Sequence, residues 1–520
     1  MLGWVDCYFA KTLDNNTGGL DMASFYLQVE AINLNDFIFD TDDLSTRRGG
    51  SLMLLEAVKT VTGTFKSKWP GNLTVIQEGA SVGMYRLDEP HDATAAVIEK
   101  VAKDAAEAAA PHATFGVACL PATGNDAAAF QGDRQSLRAK IRWDQMQNLR
   151  LTVPAWNDSA DRGPCWFDTV RPASKKIWKG EQKPASEAVY DKHEKGRTAK
   201  NNFYKDETGL SLKNVIFAQD LDDLTADPSQ ANLHHKMALI YIDGNSFGEK
   251  YDQAAASPPS GKTPWQAYAD ASQTLVKKRR EMLAALLKKM ASDSGWRNGD
   301  AYRIETLLWG GDEILWVVPA WKGWETLQHF YTYAKDWKID TETVTHAAGL
   351  VFCHHNAPIQ RMIDLVHGLC EAAKARDRQK NLIAFQVLES FDFMGKDLDG
   401  FRKALLPGRE KDLFLDADAM SKVSAAFEGV KGAVPRKQVY RAVQAAHEGV
   451  TTDEEKKDLN DLFTGLNKGA EEAAKEAGAS LADLKACLGS WDDVFWYHAR
   501  ELWDYIPKPA TSSAGKGVAP

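Results

Sequence analysis

The chain has 520 residues, of which 44% are hydrophobic and 26% are charged, and its net charge is −9 at pH 7. One hydrophobic core does not grow to this size, so the length predicts roughly three or four domains. The acidic balance argues against a protein coated in nucleic acid, although it leaves room for a local basic surface. Scattered cysteines and the lack of an apolar run of roughly 18 residues predict a cytoplasmic protein that does not enter the membrane.

Residues 1–145 predict an α+β domain whose elements follow the order β-α-β-β-α-β. An alternating strand covers residues 24–31. Gly49-Gly50-Ser51 then predicts the start of a helix, because serine caps free amides and glycine lets the turn close. The other predicted elements are a strand pair around 73–85 that turns at Gly79-Ala80-Ser81, an Ala-rich helix over 93–110 and a strand over 113–120.

Residues 146–230 differ from the preceding domain, because apolar periodicity fades and basic residues accumulate. Between Arg171 and Lys205 there are ten Lys or Arg residues against four acidic residues. This composition favours a solvated and partly flexible basic connector. A contact surface for RNA or for a partner subunit is the second interpretation, and both stay open on the sequence alone.

Residues 231–395 repeat the element order of the first domain. A buried strand over 238–242 runs into Asp243-Gly244-Asn245, and a long helix over 265–290 carries Lys277-Lys278-Arg279-Arg280, which we expect on its outer side. The later predicted elements are an aromatic helix around 324–331, a strand over 344–353, a helix with one apolar face over 359–373 and a strand over 382–388.

Residues 396–508 predict a helical C-terminal domain. Its last helix is rich in aromatic residues, and we expect Trp496, Tyr497 and Trp503 to anchor a hydrophobic core and not to stack on bases. The small residues of segment 509–520 predict a disordered tail.

Two acidic motifs form the candidate active site. Two apolar runs flank Gly310-Gly311-Asp312-Glu313, which predicts buried strands joined by a tight hairpin with two carboxylates at its tip. If this hairpin lies beside the strand that ends at Asp243, then Asp243 and Asp312 meet at the sheet edge. Nucleotidyl transfer uses divalent cations, and Mg²⁺ takes oxygen ligands. We predict a metal site at Asp243 and Asp312, with the Gly244 carbonyl as a third ligand and Glu313 as a further acid.

The residues around these acids predict a phosphate site. Asn245-Ser246-Phe247-Gly248 offers free amides near a helix start, and Gly310 and Gly311 let a ligand approach the main chain. Lys374 and Arg378 share one face if their helix persists, which suits a triphosphate. The competing interpretation treats the aspartates as turn residues and the two cations as favourable charges at a helix C-terminus.

The histidine pairs His234-His235 and His354-His355 are weaker metal candidates. Adjacent side chains on a strand point to opposite faces, so at most one member of each pair can act as a ligand. Neither pair has a third ligand at a suitable sequence spacing, so we do not expect these pairs to bind metal. His354 could instead contact a nucleotide.

Several of these stretches carry a family resemblance. They are Arg48–Ser51, Tyr241–Gly248, Gly310–Glu313, Ala347–Ile359 and Ala372–Lys374. The chain resembles the polymerase-like large subunit of type III CRISPR effector complexes, within the palm/GGDEF-type cyclase superfamily. The resemblance implies two ferredoxin-like palm domains, the first of them degenerate, and synthesis of cyclic oligoadenylate from ATP with Mg²⁺ or Mn²⁺ when the complex binds foreign RNA. It further implies metals on Asp243 and Asp312, the triphosphate on Lys374 and Arg378, and nucleotide near Asn245 and Ser246.

The chain departs from that family in three places, and its first palm lacks one of the acids of the second. Glu313 stands where the family usually has aspartate, and this resembles diguanylate cyclases. Cys165 is a lone cysteine ahead of Arg171-Pro172-Ala173, so we predict no zinc in this degenerate zinc-ribbon-like insert. The first palm begins by about residue 24, so we expect no nuclease domain. Its Glu30 occupies the place of Asp243, but its hairpin tip has no acid, so we expect this palm to be catalytically silent.

Three functions therefore remain open. The first is a cyclic oligoadenylate synthase that works with the subunits and RNA of an RNA-guided complex. The second is a stand-alone synthase of a cyclic dinucleotide or mononucleotide, acting as a homo-oligomer, to which Glu313 lends support. The third is a non-catalytic scaffold, which the intact acids Asp243 and Asp312 argue against.

Overall fold

The computed structural model describes residues 24–90, 93–147, 163–211, 215–389 and 397–507. It confirms the predicted α+β class, with two main sheets, helices packed on them and a helical C-terminal region. Within these ranges no helix has the length and apolar character needed to cross a membrane. The boundaries of the five predicted segments stay predictions, and the tail 509–520 lies outside the described residues.

The first palm closely follows the predicted order. Its elements are β1 (Phe25–Ile32), α1 (Leu34–Ile38), α2 (Leu44–Lys68), β2 (Leu73–Glu78), β3 (Val82–Leu87), α3 (Ala95–Ala109), β4 (Thr114–Pro121) and α4 (Ala127–Gln147). The central strand β1 pairs antiparallel with both β3 and β4. Apolar side chains from β1, such as Leu27 and Val29, are fully buried in a core shared with α2 and α3.

The connector contains a small hairpin and one long helix. Its elements are β5 (Lys175–Trp178), β6 (Gln182–Ala185), α5 (Glu187–Thr208), β7 (Ile216–Phe217) and α6 (Leu221–Thr225). Cys165 is buried in a small apolar cluster with Ile177 and Val189. The expectation of a solvated connector is wrong for α5, because its Lys192 and Lys200 side chains are buried.

The second palm begins after a short 3₁₀ turn. Its elements are β8 (Lys236–Gly244), α7 (Phe247–Ala256), α8 (Pro264–Ser292), β9 (Arg297–Asn298), β10 (Ala301–Tyr302), β11 (Glu305–Trp309), β12 (Ile314–Pro319), α9 (Ala320–Ala334), β13 (Lys338–Ile339), β14 (Glu342–Thr343), β15 (His346–His354), α10 (Ile359–Arg376) and β16 (Leu382–Val387). Each long element lies within a few residues of its predicted position.

The C-terminal region is helical apart from one short strand. Its elements are α11 (Leu398–Leu405), β17 (Leu415–Asp416), α12 (Val423–Ala433), α13 (Arg436–Glu448), α14 (Asp453–Glu476), α15 (Leu481–Leu488) and α16 (Asp492–Glu501). Trp496, Tyr497 and Trp503 are buried, which confirms their predicted role as core anchors. Strand β17 pairs with β16, so this region is attached directly to the sheet of the second palm.

The two main sheets repeat one topology. The first has the order β2-β3-β1-β4, and the second has the order β11-β12-β8-β15-β16-β17. In each, a central strand is flanked by the second strand of a hairpin on one side and by a later antiparallel strand on the other. The predicted internal duplication is therefore present in the fold.

Helix α2 begins earlier than the sequence predicts. Its N-cap is Asp43, whose side chain accepts a first-turn backbone N–H, so Gly49-Gly50 lies inside the helix and not at its start. A Cβ on Gly49 would lie 1.7 Å from the carbonyl oxygen of Lys192, and one on Gly196 would lie 1.8 Å from that of Ser45. These glycines therefore let α2 and α5 cross in backbone contact, because any side chain there would collide with main chain.

A buried ion cluster ties this crossing to the second palm. Arg48 on α2 donates to Glu305 at the start of β11 over 2.6 Å, and Lys200 on α5 donates to Glu305 over 2.7 Å. All three side chains are at most 2% exposed. Burial alone would raise the pKa of Glu305, but the charges of Arg48 and Lys200 outweigh it and lower that pKa.

Candidate active site at the acidic hairpin

The acidic motifs lie on adjacent strands, as predicted. Strand β12 pairs with β8, with Ile314 opposite Ile242, so Asp243 follows directly at the β8 end beside the hairpin. The hairpin closes with the Gly310 N–H donating to the Glu313 carbonyl over 2.9 Å. The carboxyls of Asp243, Asp312 and Glu313 therefore gather at one edge of the sheet.

Burial raises the pKa of all three carboxyls, and the charge of Asp312 adds to this rise at Asp243 and Glu313. Asp243 is 7% exposed, and its burial together with the charge of Asp312 raises its pKa to about 7 despite the nearby Lys374. Burial raises the pKa of Asp312 and, with the charge of Asp312, that of Glu313. The Tyr241 hydroxyl donates a hydrogen bond to Glu313. The cluster thus concentrates negative charge that a bound cation would relieve, and its oxygen donors fit the preference of Mg²⁺ or Mn²⁺.

Lys374 reaches this cluster, whereas Arg378 does not lie on the predicted helix face. The Lys374 ammonium forms an ion pair with Asp243 and lies 3.6 Å from the Glu371 carboxylate. Helix α10 ends at Arg376 because the backbone of Asp377 is extended. Arg378 therefore lies in the following turn, where it is exposed and its carbonyl accepts the Thr345 hydroxyl. The predicted sharing of one helix face is wrong for this pair.

The Asn245–Gly248 segment forms the predicted helix start. Helix α7 begins at Phe247, after Ser246 adopts the left-handed conformation with φ of 56°. The Asn245 amide nitrogen donates to the Thr345 hydroxyl over 3.0 Å, while its buried side-chain oxygen has no hydrogen-bond partner among the described residues. Phe247 packs inward, and a Cβ on Gly244 would lie 2.6 Å from its ring. Gly244 must therefore be glycine, and Phe247 contributes only its main chain to a ligand site.

Arg279 belongs to this site although the sequence prediction placed it on the outer side of α8. Its side chain is buried, and its guanidinium donates to the carbonyl oxygens of Gly310 and Gly311, the latter over 2.6 Å. The guanidinium also lies 4.7 Å from the centre of the Trp309 ring. Leu275 lies four residues before Arg279 and Met282 three residues after it, and both belong to the buried face of α8. Helical periodicity could therefore have predicted that Arg279 also points inward.

Replacing Arg279 is expected to loosen the hairpin tip. Arg279→Met keeps the apolar stem but leaves two carbonyls without their donor, so Asp312 loses its fixed position. We expect any turnover at this site to fall by about 10–100-fold, since a displacement of about 1 Å carries a cost of this size. Steady-state turnover of the variant measures the effect. Lys277→Met, on the exposed face of the same helix, should keep wild-type turnover, and equal losses in both variants would refute this role.

A cavity of 1020 Å³ lies between the two palms and brings both hairpin tips together. Asp312 and Glu313 line one side, and Glu30, Ser81 and Arg142 line the other. The first-palm tip closes as the second does, with the Gly79 N–H donating to the Val82 carbonyl over 2.8 Å.

The first palm keeps only part of the acidic site. With Val29 opposite Gly83, the strand register places Glu30 at the position equivalent to Asp243, as predicted, and Ser81 at that of Asp312. Glu30 is paired with Arg142 over 2.8 Å. Without an acid at its tip this palm lacks the paired carboxylates of the second.

The buried His346 packs against Phe247 at the start of α7, and it makes the stability of the fold depend on pH. It stands opposite Gly244 on β15 and packs 5.2 Å from the Phe247 ring and 5.0 Å from the Phe330 ring. Burial lowers its pKa to about 3, against about 6.5 in an unfolded chain. Between these values the unfolded state binds a proton that the folded state does not, so stability falls as pH drops below about 6.5.

Between pH 7 and pH 5, protonation of His346 in the unfolded state is expected to lower the free energy of unfolding by about 2 kcal/mol. His346→Phe should remove that share, so the urea midpoint of the variant should fall less steeply over this pH range than that of the wild type. Parallel pH profiles for the two proteins would contradict the assignment.

Comparisons with known proteins give one family match, to the second palm. Residues 236–384, which include Asp243, Asp312, Glu313 and Lys374, match the family model of the Cas10/Cmr2 second palm domain. No curated protein matches the chain.

Three solved structures share the fold. A Csm1-Csm4 cassette in complex with pppApA matches with a TM-score of 0.53 and 14% identity, over 92% of this chain and 69% of that chain. The cassette in complex with cA4 matches with a TM-score of 0.53 and 14% identity, over 93% and 70%. Csm1 from T. onnurineus matches with a TM-score of 0.50 and 12% identity, over 94% and 70%. At these identities the structures show a common fold over nearly the whole chain.

Proposed function

We propose that this chain, whose residues 236–384 match the Cas10/Cmr2 second palm domain, is a Cas10-like nucleotidyltransferase that converts ATP to cyclic oligoadenylate in a type III CRISPR defence complex. The observation that carries the proposal is the acid cluster of the second palm, in which Asp243, Asp312 and Glu313 have raised pKa values. Asp312 and Glu313 also line a cavity shared by both palms. Perturbed acids in a cleft are typical of catalytic sites.

Asp243, Asp312 and the Gly244 carbonyl would hold Mg²⁺ or Mn²⁺. A bound cation neutralises charge on the phosphate oxygens during nucleotidyl transfer. Glu313 is held by the Tyr241 hydroxyl and supplies a further carboxylate beside them. Lys374, already paired with Asp243, would exchange that partner for a substrate phosphate when the cation is present.

The triphosphate would lie between the start of α7 and the hairpin. The backbone amides of Ser246, Phe247 and Gly248 precede the first full turn of α7 and have no acceptor within the helix. Gly311 faces open space, so a phosphate can approach its main chain closely. Arg378, exposed in the turn after α10, supplies a further cation beside Thr345, whose hydroxyl donates to the Arg378 carbonyl.

The size and shape of the cavity favour an oligonucleotide product. Its volume of 1020 Å³ reaches the upper end of the roughly 300–1000 Å³ of ordinary small-molecule pockets. It also spans both palms, so a second nucleotide can lie against the first palm near Ser81 and Arg142. In each step a ribose hydroxyl loses its proton to water and its oxygen bonds to the α-phosphorus of a 5′-triphosphate. The bond from that phosphorus to the oxygen bridging to the β-phosphorus breaks, and pyrophosphate leaves.

Partner subunits and RNA are part of this proposal. Two of the three similar solved structures are cassettes of Csm1 with Csm4, which supports a role for this chain within a larger assembly. Its exposed aromatic side chains in the connector, Trp166 and Trp178, and the adjacent basic residues give such a subunit or RNA a surface to contact.

Pyrophosphate release tests the proposal. The chain is incubated with ATP and Mn²⁺, alone and with its complex and target RNA, and we expect release that depends on the metal. An RNA requirement supports the CRISPR setting, whereas equal activity of the isolated chain favours the stand-alone synthase. Failure to bind ATP under either condition, in a folded protein with metal present, would overturn the proposal in favour of the scaffold.

A further inference from the structure

Two histidines and one aspartate form a second polar cluster in the second palm. His235 directly precedes β8, His355 directly follows β15, and Asp222 lies on α6. Among the described residues this is the one set of three His, Cys, Asp or Glu side chains whose ligand atoms all lie within 4.8 Å of one another. We propose that Asp222, His235 and His355 bind one Zn²⁺ ion. The sequence prediction missed this site because it considered each histidine pair alone, whereas the site combines one histidine of each pair with Asp222.

The three ligand atoms converge without bonding to one another. The distance from His235 Nδ1 to Asp222 Oδ1 is 3.2 Å, and that from His355 Nε2 to the same oxygen is 3.9 Å. The second distance is too long for a hydrogen bond, and the buried His235 Nδ1 has no hydrogen-bond partner among the residues that the structure describes. Ligands of a tetrahedral zinc ion, with bonds of about 2.0–2.2 Å, stand roughly 3.3 Å apart. Small side-chain adjustments would therefore close the site around an ion.

The hydrogen bonds of His355 set its ring in the form that binds metal. Its Nδ1 lies 3.1 Å from the His235 carbonyl oxygen, which also accepts the His355 backbone N–H over 2.9 Å. A carbonyl only accepts, so Nδ1 carries the proton and Nε2 presents its lone pair to the Asp222 carboxylate. Metal-binding histidines usually donate their other ring N–H to such a carbonyl or carboxylate.

The donor set and its exposure select a transition metal ion. Two imidazoles and one carboxylate suit Zn²⁺, whereas Mg²⁺ and Ca²⁺ prefer oxygen ligands. Side-chain exposures of 66% for Asp222, 33% for His235 and 13% for His355 leave the site open to an ion from solvent. Three protein ligands leave a fourth position for water.

The ion would fasten the connector to the catalytic palm. Helix α6 reaches the sheet here through one backbone hydrogen bond, from the His235 N–H to the Thr225 carbonyl over 3.1 Å. The site lies at the opposite end of β8 from Asp243, roughly 25 Å away along the strand. A cation here therefore has a structural role that is separate from the acid cluster.

Zinc binding to the full chain tests the proposal. Metal-free protein is titrated with Zn²⁺ in excess Mg²⁺, which keeps oxygen-rich sites occupied, and bound Zn²⁺ per chain and the melting temperature are measured. We expect one Zn²⁺ per chain and a higher melting temperature. His235→Ala and His355→Ala should weaken binding by more than about 100-fold, beyond the 10–100-fold typical of outer-shell changes.

His354→Ala is the matched control, since His354 is adjacent to His355 and its Nδ1 already accepts the Asn356 N–H over 3.2 Å. It should keep full Zn²⁺ binding. Asp222→Asn, at an exposed position, keeps the test valid if a histidine variant fails to fold, and it should also weaken binding. Equal Zn²⁺ stoichiometry and affinity in the wild type and Asp222→Asn, or loss of binding in His354→Ala alone, would overturn the proposal.

Discussion

Asp312→Ala is expected to lower product formation from ATP by at least about 10³-fold while the protein stays folded. Removing one preorganised electrostatic group commonly costs 10²–10³-fold, and this carboxylate also contributes to a cation site. The substitution also removes a charge that raises the pKa of Asp243, so the stability of the metal-free protein should not fall. Product formation is measured under saturating ATP and Mn²⁺, and folding by circular dichroism.

Asp300→Ala is the control for the loss of one negative charge in the same palm. Asp300 is exposed in the turn between β9 and β10, on a different hairpin, and its variant should keep wild-type activity. If Asp312→Ala turns over ATP as fast as Asp300→Ala, the acidic hairpin is not the catalytic site.

Glu305→Gln is expected to have the largest effect on stability. The substitution leaves the buried cations Arg48 and Lys200 facing a neutral amide in the crossing of α2, α5 and β11. Breaking one member of a buried ion cluster costs roughly 3–5 kcal/mol, because the remaining charges stay buried without compensation. A large drop in the urea midpoint of the full chain measures the effect.

A surface pair provides the comparison for this prediction. Glu342 pairs with Lys250 over 3.1 Å but is 58% exposed, so Glu342→Gln should change stability by less than about 1 kcal/mol. Replacing Arg48, Lys200 and Glu305 together with apolar residues should recover much of the loss, because no uncompensated charge then remains. Equal midpoints for Glu305→Gln and Glu342→Gln would contradict the assigned role of the cluster.

The sequence was sufficient to predict those parts of the fold that local residue patterns determine. The run from Leu307 to Val318, interrupted by Gly310-Gly311-Asp312-Glu313, has the signature of a hairpin, and the structure confirms it beside β8. The repeated order of elements predicted that Glu30 occupies the position equivalent to that of Asp243, and the strand registers confirm this equivalence. Such features depend on apolar runs and turn residues, which are local.

The remaining features depend on contacts between distant segments. Gly49-Gly50 resembles a helix start, but Gly49 instead permits the backbone contact with α5. Arg279 stands in a basic run that resembles a solvated face, yet it binds the hairpin carbonyls 31 and 32 residues away. Asp222 joins His235 and His355 only through the path of the connector. Tertiary partners decide each of these cases, and no local pattern records them.

The mass of the product formed from ATP tests the central claim most directly. The full chain, with its complex, target RNA and Mn²⁺, is incubated with ATP, and the product is identified by mass spectrometry after phosphatase treatment. We predict a phosphatase-resistant cyclic oligoadenylate that is absent when Asp312→Ala replaces the wild type. A cyclic dinucleotide or mononucleotide would contradict the assigned product, and a product that persists in Asp312→Ala would contradict the assigned site.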